Sequence, residues 1–468
     1  MPRIRVITDI GPSSKMTAGI VLENIIKNTP NQIEIDGYIL HGKEDVNYEL
    51  SRYVDFDSFV KISKPNERWV SSRFFRLFNI FGEILSRKYT ERISREIIQE
   101  ESRNRSDLIL LAIQGQTSIR IALALSHAGY DISTIWWDSY SWYQKSRNVP
   151  NIVNRELAQL YQRIQKNGHH LVPSHRFAEE LGLKTNFEVF YSQYEFMGST
   201  VQDLSTINIC FVGQMYSRDE INEFLELMDI IGWNHEGRNI SLHTYGSESL
   251  DHPMLKHHGW LDSADLISEI AGYDLAFLPY PKSDSMSNVV ETSFPSKLAV
   301  YLSAGLPVIY VGPTNSVFYK EMKNFMRIFD RNNEAETNSS LSYLLKLRAS
   351  ENKEIYQAWN KYFSCETFRN TLKRFMTFNG VGYDLFSISE RRTFKSSTIC
   401  EIKNISYSMN YSYYYGILLR VLSFIMRKIT NKLRQLQVVK IFWILLIRLS
   451  TRPNYIFRFL ISFFHFKR

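Results

Sequence analysis

Short apolar runs recur along most of the chain, and many are followed by apolar positions at three- and four-residue steps. The runs predict strands at Ile4–Thr8, Ile33–Ile39, Leu108–Ile113, Ile132–Trp137 and His169–Val172, then at Asn208–Gly213, Ile240–Tyr245, Asp274–Pro279 and Val308–Val311. Several, such as LILLAI and VIYV, are apolar throughout, as in parallel strands covered on both faces. Amphipathic helices are predicted at Thr117–Ala128, Asn151–Lys166 and Ser263–Ala271. Strand–helix alternation of this kind predicts an α/β fold with a doubly wound parallel sheet. The alternation restarts after the polar stretch Gly198–Thr206, so two such domains are expected, over 1–200 and 207–363. Residues 66–103, rich in Arg and Phe, read as a helical insertion in the first. A helix over 364–378, a polar linker over 379–415 and a tail over 416–468 complete the chain.

The segment FPSKLAVYLSAGLPVIYVGP, from Phe294 to Pro313, has the most explicit local grammar. Ser293 is suited to cap a helix, and Pro295 to stand in its first turn, where a missing N–H costs nothing. Leu298, Tyr301 and Leu302 form one apolar face. Gly305 fits the position just past the helix, and Pro307 prevents continuation. VIYV follows as a buried strand, ended by Gly312-Pro313. The prediction is a helix–turn–strand unit whose helix N-terminus opens at the edge of a sheet.

This segment resembles the donor-binding signature of GT-B glycosyltransferases, in particular the retaining glycosyltransferase family 4 (glycosyl transferases group 1) of polysaccharide biosynthesis. Other pieces follow in the family's order: ICFVGQMYSRDE from Ile209, LHTYGS from Leu242, HHGWLDSADLISEIAGYDLAFLPYP from His257, and HLVPSHRFAEELG from His170. The resemblance runs over residues 1–375 and is tightest over 208–315. It implies two Rossmann-like domains, an acceptor domain over 1–200 and a donor domain over 207–363. The helix near Thr367–Phe378 would pack back on the first. The implied reaction moves a sugar from a nucleotide-diphospho-sugar to a hydroxyl of a glycan or lipid-linked acceptor. It needs no metal and no cofactor beyond that co-substrate, and it retains configuration. Many members carry two glutamates seven residues apart across this segment. Here Val300 stands at the second position, and the first falls near Thr292, one residue from Glu291.

Glycosyl transfer needs a stabilised diphosphate leaving group. The N-terminus of a helix beginning near Pro295 favours anions through its N–H groups and dipole. Lys297 and Arg218 are the expected cations, each contact worth about 1.5–3 kcal/mol. Their alternatives are a solvated helix-start lysine and an ordinary polar helix start. The expected donor-binding set is Gly213, Tyr280, Glu291, Ser293, Phe294, Pro295, Ser296, Lys297 and Tyr301. The loop Gly11, Ser13, Ser14, Lys15 to Gly19 follows the first strand and would face the cleft by the same resemblance. It lacks the spacing of a P-loop or a dinucleotide fingerprint, and a plain strand–helix turn is its alternative. Asp138 directly follows an apolar strand, where ligands sit in open α/β sheets. It is a candidate to take the acceptor's proton, or else a helix cap. Gln114, Gln116 and Trp142 are candidate acceptor contacts, with core packing the alternative for the tryptophans Trp136, Trp137 and Trp142.

Charge is uneven. Residues 402–468 hold 12 of the 56 lysines and arginines and none of the 48 acidic residues. Within this tail Leu418, Leu422, Ile425, Ile429, Leu433 and Leu436 recur at helical steps among basic residues, and aromatics crowd its second half. No run there reaches the ~20 apolar residues of a membrane span. The tail therefore reads as a basic amphipathic helix lying on an anionic membrane surface. An oligomerisation helix is the alternative, and so much Ile, Leu and Phe argues against nucleic acid. The 3 cysteines are far apart, which argues against disulfides and zinc and for a reducing, cytoplasmic setting at the inner face of the membrane. Two rival functions stay open: a sugar-nucleotide epimerase of the same fold, and a non-catalytic glycan- or partner-binding module.

Overall fold

The computed structural model describes residues 1–13, 17–41, 58–64, 76–137, 151–198, 205–215, 217–246, 248–282, 287–329, 334–350, 353–381 and 404–405. Asp138, Trp142, Ser14, Lys15 and the 416–468 tail lie outside the described residues, as do most of the linker and positions 199–204.

The first sheet contains β1 (Arg3–Thr8), β2 (Glu34–His41), β3 (Phe59–Ser63), β4 (Leu108–Ile113), β5 (Ile132–Trp136), β6 (His170–Val172) and β7 (Phe187–Val189). They run in the order β3-β2-β1-β4-β5-β6-β7, parallel throughout. Its helices are α1 (Thr17–Asn28), α2 (Arg76–Arg103), α3 (Gln116–His127), α4 (Asn151–Ile164) and α5 (His175–Glu180). The uniform LILLAI run is explained by the two cores it feeds. Leu108 and Leu110 join Val6, Val21 and Ile25 on one face. Ile109, Leu111 and Ile113 join Ile119, Leu160 and Phe177 on the other.

The second sheet contains β8 (Thr206–Val212), β9 (Asn234–His235), β10 (Arg238–Tyr245), β11 (Leu255–Gly259), β12 (Leu275–Pro279), β13 (Val308–Val311) and β14 (Met326–Ile328). The order is β11-β10-β8-β12-β13-β14, parallel, with β9 antiparallel to β10. Around it lie α6 (Arg218–Ile230), α7 (Ser263–Ile270), α8 (Ser287–Thr292), α9 (Ser296–Ser303), α10 (Val317–Met322), α11 (Glu334–Ala349) and α12 (Lys353–Tyr362). Here too a strand alternates between cores, with Cys210 and Val212 in one and Ile209 and Phe211 in the other.

The last described helix, α13 (Cys365–Phe378), leaves the second lobe and returns to the first. Ser364 caps it by accepting the Thr367 N–H at 3.2 Å. Phe368, Leu372, Phe375 and Met376 are buried among Val6, Val21 and Phe190. Each such side chain contributes about 1.5–3 kcal/mol of burial. Arg374 grips Glu188 at 2.8 Å, and the Asn379 side-chain oxygen accepts from Ser133 at 2.7 Å and from the His169 N–H at 3.2 Å. A two-residue strand, β15 (Asn404–Ile405), pairs parallel with β3.

Both sheets reverse direction beside their first strand. From β1 the chain builds outward to β2 and β3, then crosses to β4 on the other side. From β8 it builds to β10 and β11, then crosses to β12. Ligands of open α/β sheets bind in the crevice outside the carboxyl ends at such a reversal. The two reversals therefore define where candidate residues should gather.

Candidate functional site

At the second reversal β8 and β12 pair only at Ile209–Leu275 and Cys210–Ala276, and then part. The Tyr301 hydroxyl, from α9, stands in the gap. It accepts the Val212 N–H at 3.0 Å and donates to the Phe277 carbonyl at 3.0 Å. Tyr301 is fully buried and holds two strands in register at the point where they separate. Tyr280, also in the expected set, has an internal partner. It is buried, and its hydroxyl donates to the Ser293 carbonyl at 3.3 Å.

Just past the gap lies Gly213, with φ +92°. Its N–H donates to the Tyr245 carbonyl at 2.7 Å, and the Gly246 N–H donates to Gly259 at 2.7 Å. A Cβ on Gly246 would sit 2.7 Å from the Gly213 carbonyl. A Cβ on Gly213 would sit 3.1 Å from the Lys297 Cε. Glycine at 213 thus leaves the passage that the Lys297 stem occupies. The Lys297 ammonium donates to the Gln214 carbonyl at 2.8 Å and lies 4.2 Å from the Phe211 ring centre. Burial pushes its pKa down to about 7.

The helix that carries Lys297 starts later than its sequence suggests. Pro295, not Ser293, occupies the cap position, and Ser296 is the first helical residue. The proline disfavours helical backbone at Phe294, so a break separates α8 from α9. The Leu298 N–H closes the first turn onto the Pro295 carbonyl at 2.9 Å. Phe294 is half-buried against Tyr191, their ring centres 4.3 Å apart. Glu291, half-buried in the last turn of α8, faces the first lobe, where its charge adds to that of Glu179 in holding Arg176 protonated. Val300 is buried in the apolar core.

Arg218, the second expected cation, lies at the surface. It is the first residue of α6, its side chain is 65% exposed, and its guanidinium is paired with Glu248 at 2.7 Å.

At the first reversal, the Ser13 N–H donates to the Gly19 carbonyl at 3.2 Å. A Cβ on Gly19 would come within 2.9 Å of Ser13 Cβ and 3.0 Å of the Gly11 carbonyl, so this glycine lets the loop close on itself. Gln114 and Gln116 flank the carboxyl end of β4. Gln114 Oε1 and Gln116 Nε2 are buried polar atoms without a hydrogen-bond partner. Ser118 Oγ takes the N–H groups of Gln114 and Gly115 at 3.2 and 3.0 Å. Trp136 is a core residue, its ring N–H bonded to Thr134 at 2.7 Å. Trp137 packs on Phe190.

Two features escaped the sequence. Asp9, at the carboxyl end of β1, is paired with Lys64 at 2.9 Å, both nearly buried. Ser174 bonds the Thr292 carbonyl across the lobes at 2.5 Å. Partners 55 and 118 positions apart leave no local pattern. Among the described residues, no group of three or more His, Cys, Asp or Glu is placed to hold a metal ion. Nor is any described helix long and apolar enough to cross a membrane.

Solved structures share this two-sheet arrangement. Sucrose-phosphate synthase from Thermosynechococcus elongatus is similar over 81% of this chain and 98% of its own, at TM-score 0.56 and 11% identity. The apo structure of OtsA is similar over 81% and 99%, at 0.53 and 11%. An E. coli structure described as trehalose-6-phosphate bound with UDP-2-fluoro glucose is similar over 83% and 100%, at 0.52 and 11%. These neighbours are GT-B proteins, and the chain has the GT-B fold. A family model for the fifth domain of the ATP-dependent helicase/deoxyribonuclease AddB matches residues 121–155. The described part of that stretch holds the end of α3, β5 and the start of α4 in the first lobe. No curated protein matches the sequence.

Proposed function

We propose that the protein is a glycosyltransferase that takes a sugar from a nucleotide-diphospho-sugar and places it on a hydroxyl of a glycan or lipid-linked acceptor. The observation that carries the reading is Lys297 at the N-terminus of α9, threaded past Gly213 into the crevice where β8 and β12 part. Donor phosphates over this helix N-terminus would meet its N–H groups and the ammonium together. A cation held where charge develops on the leaving oxygen lowers the barrier, beyond merely binding the ground state. The reaction needs no metal in this reading, and configuration is retained. Ser293, Phe294, Pro295 and Ser296 shape the approach to the helix, and Glu291 joins them as a donor-binding residue.

The acceptor lies at the first reversal, against the Gly11–Gly19 loop, Gln114 and Gln116. Their unpartnered Oε1 and Nε2 supply one acceptor and one donor of hydrogen bonds for sugar hydroxyls. Asp138 takes the acceptor's proton. Residues 416–468 bring the enzyme to the anionic inner face of the membrane, beside a lipid-linked acceptor, in polysaccharide or glycoconjugate biosynthesis.

A thermal-shift panel of UDP-, GDP-, dTDP- and ADP-sugars tests the donor reading. A ligand at 100 times its dissociation constant adds about 2.7 kcal/mol of stability. One nucleotide class should shift wild type and leave Lys297→Ala unmoved. A folded wild type that responds to none of them sinks the proposal.

A further inference from the structure

Ser174 stands two residues past β6 and caps α5, its Oγ accepting the Phe177 N–H at 3.0 Å. The same hydroxyl donates at 2.5 Å to the carbonyl of Thr292 in the second lobe. Thr292 is the last residue of α8, where carbonyls lack partners within their own helix. Both residues are buried, at 1% and 5% exposure. One hydroxyl therefore spends its lone pair within the first lobe and its proton on the second. The held carbonyl lies five residues before Lys297, separated from it by Ser293-Phe294-Pro295-Ser296. Arg176 and Glu291, each close in sequence to one partner, bring opposite charges to the same boundary.

We propose that Ser174 is a positioning residue that latches the 291–295 segment to the first lobe, so that the loop leading into Lys297 is ordered by closure of the two lobes. Opening returns the hydroxyl and the carbonyl to water, so the bond biases closure only several-fold and stays reversible. The latch stands on this geometry alone. Its effect on donor binding rests on the transferase reading.

The two jobs of Ser174 are chemically separable. Asparagine can accept the Phe177 N–H and also donate across the boundary, whereas aspartate can only accept. Both are good helix caps and are matched in size. The experiment is hydrogen exchange by mass spectrometry on the full chain, comparing amides 287–298 with amides 175–181. Ser174→Asn should exchange like wild type in both segments. Ser174→Asp should exchange about three- to tenfold faster over 287–298 and remain protected over 175–181. The smaller Ser174→Ala, which loses both bonds without crowding, should loosen both segments. Equal protection of 287–298 in Asp and Asn, or wild-type protection there in Ala, overturns the latch. So does loss of 175–181 in the Asp variant, since the cap would then have failed rather than the bridge. Under the transferase reading, Ser174→Asp also raises the half-saturating concentration of whichever sugar nucleotide shifts the wild type, while Ser174→Asn does not. If no sugar nucleotide shifts the wild type, the transferase reading falls, and the exchange data still decide the latch.

Discussion

The Lys297 ammonium donates to the Gln214 carbonyl at 2.8 Å, reaching it past a glycine whose Cβ would touch the lysine stem. A cation is thus stored against a backbone oxygen, beside the Phe211 ring. Burial lowers its pKa to about 7. An arriving diphosphate would restore the proton, so binding of inorganic pyrophosphate should take up protons near pH 8. Calorimetry in two buffers of different ionisation enthalpy reads that uptake, and Lys297→Met should abolish it.

The same lysine sets a stability trend. Its folded pKa, about 7, lies below its ordinary 10.5. Between those values the unfolded chain binds more protons than the native one, so stability contributed by this group rises with pH across the window. Urea unfolding at pH 7 and pH 9 should show a larger gain for wild type than for Lys297→Met. An equal gain in both would show that Lys297 is not desolvated.

Gly213→Ala combines a left-handed backbone with a contact of 3.1 Å to Lys297 Cε. The expected cost is about 1–2 kcal/mol. Pyrophosphate binding should weaken more than stability alone accounts for, because the lysine must move. Chemical denaturation and titration of the same variant separate the two effects.

Tyr301→Phe leaves the Val212 N–H and the Phe277 carbonyl without the hydroxyl between them. A loss of about 1–3 kcal/mol should follow, seen as a lower urea midpoint with an unchanged slope. A neutral result would mean that water replaces the hydroxyl in the gap.

His170 gives the same pH trend in a more acidic window. Its Nδ1 accepts the Thr134 N–H at 3.2 Å, and its Nε2 lies 2.8 Å from the Ile164 carbonyl, so the neutral ring is held with the proton on Nε2. Burial is the main cause that lowers its pKa to about 4, against an ordinary 6.5. As pH falls through that window the unfolded state takes a proton that the native state refuses, and stability falls. The melting temperature should drop between pH 7 and pH 5, and the drop should be smaller in His170→Gln.

The strands that fill both cores were legible, because burial on two faces removes polar residues from a run. β11, with the sequence LKHHG, was not, since it is an edge strand with exposed side chains. β3, β7 and β14 are short and partly exposed, and for the same reason left no continuous run. The helix that carries Lys297 was legible from its proline and glycine punctuation, and the strand end at Gly213 from the apolar run before it. Tyr301 was placed on the helix's apolar face, but its position is decided by a hydroxyl that finds partners on two strands. Arg218 looked available because its partner, Glu248, lies 30 positions on in another loop. Ser293 and Pro295 show a subtler limit: both suit a helix start, and only the break after α8 decides which one takes the cap.

Among the described residues the polypeptide passes between the lobes twice, outward before β8 and back between α12 and α13. A body on one tether can swivel in every direction. On two tethers it is left chiefly with a swing about the line that joins them. The return point is pinned by the rings of Phe368 and Phe375 in the first lobe, which makes it a fixed bearing. Under the proposed latch, a swing about that line would part the Thr292 carbonyl from Ser174 or bring the two together, as a door meets its post.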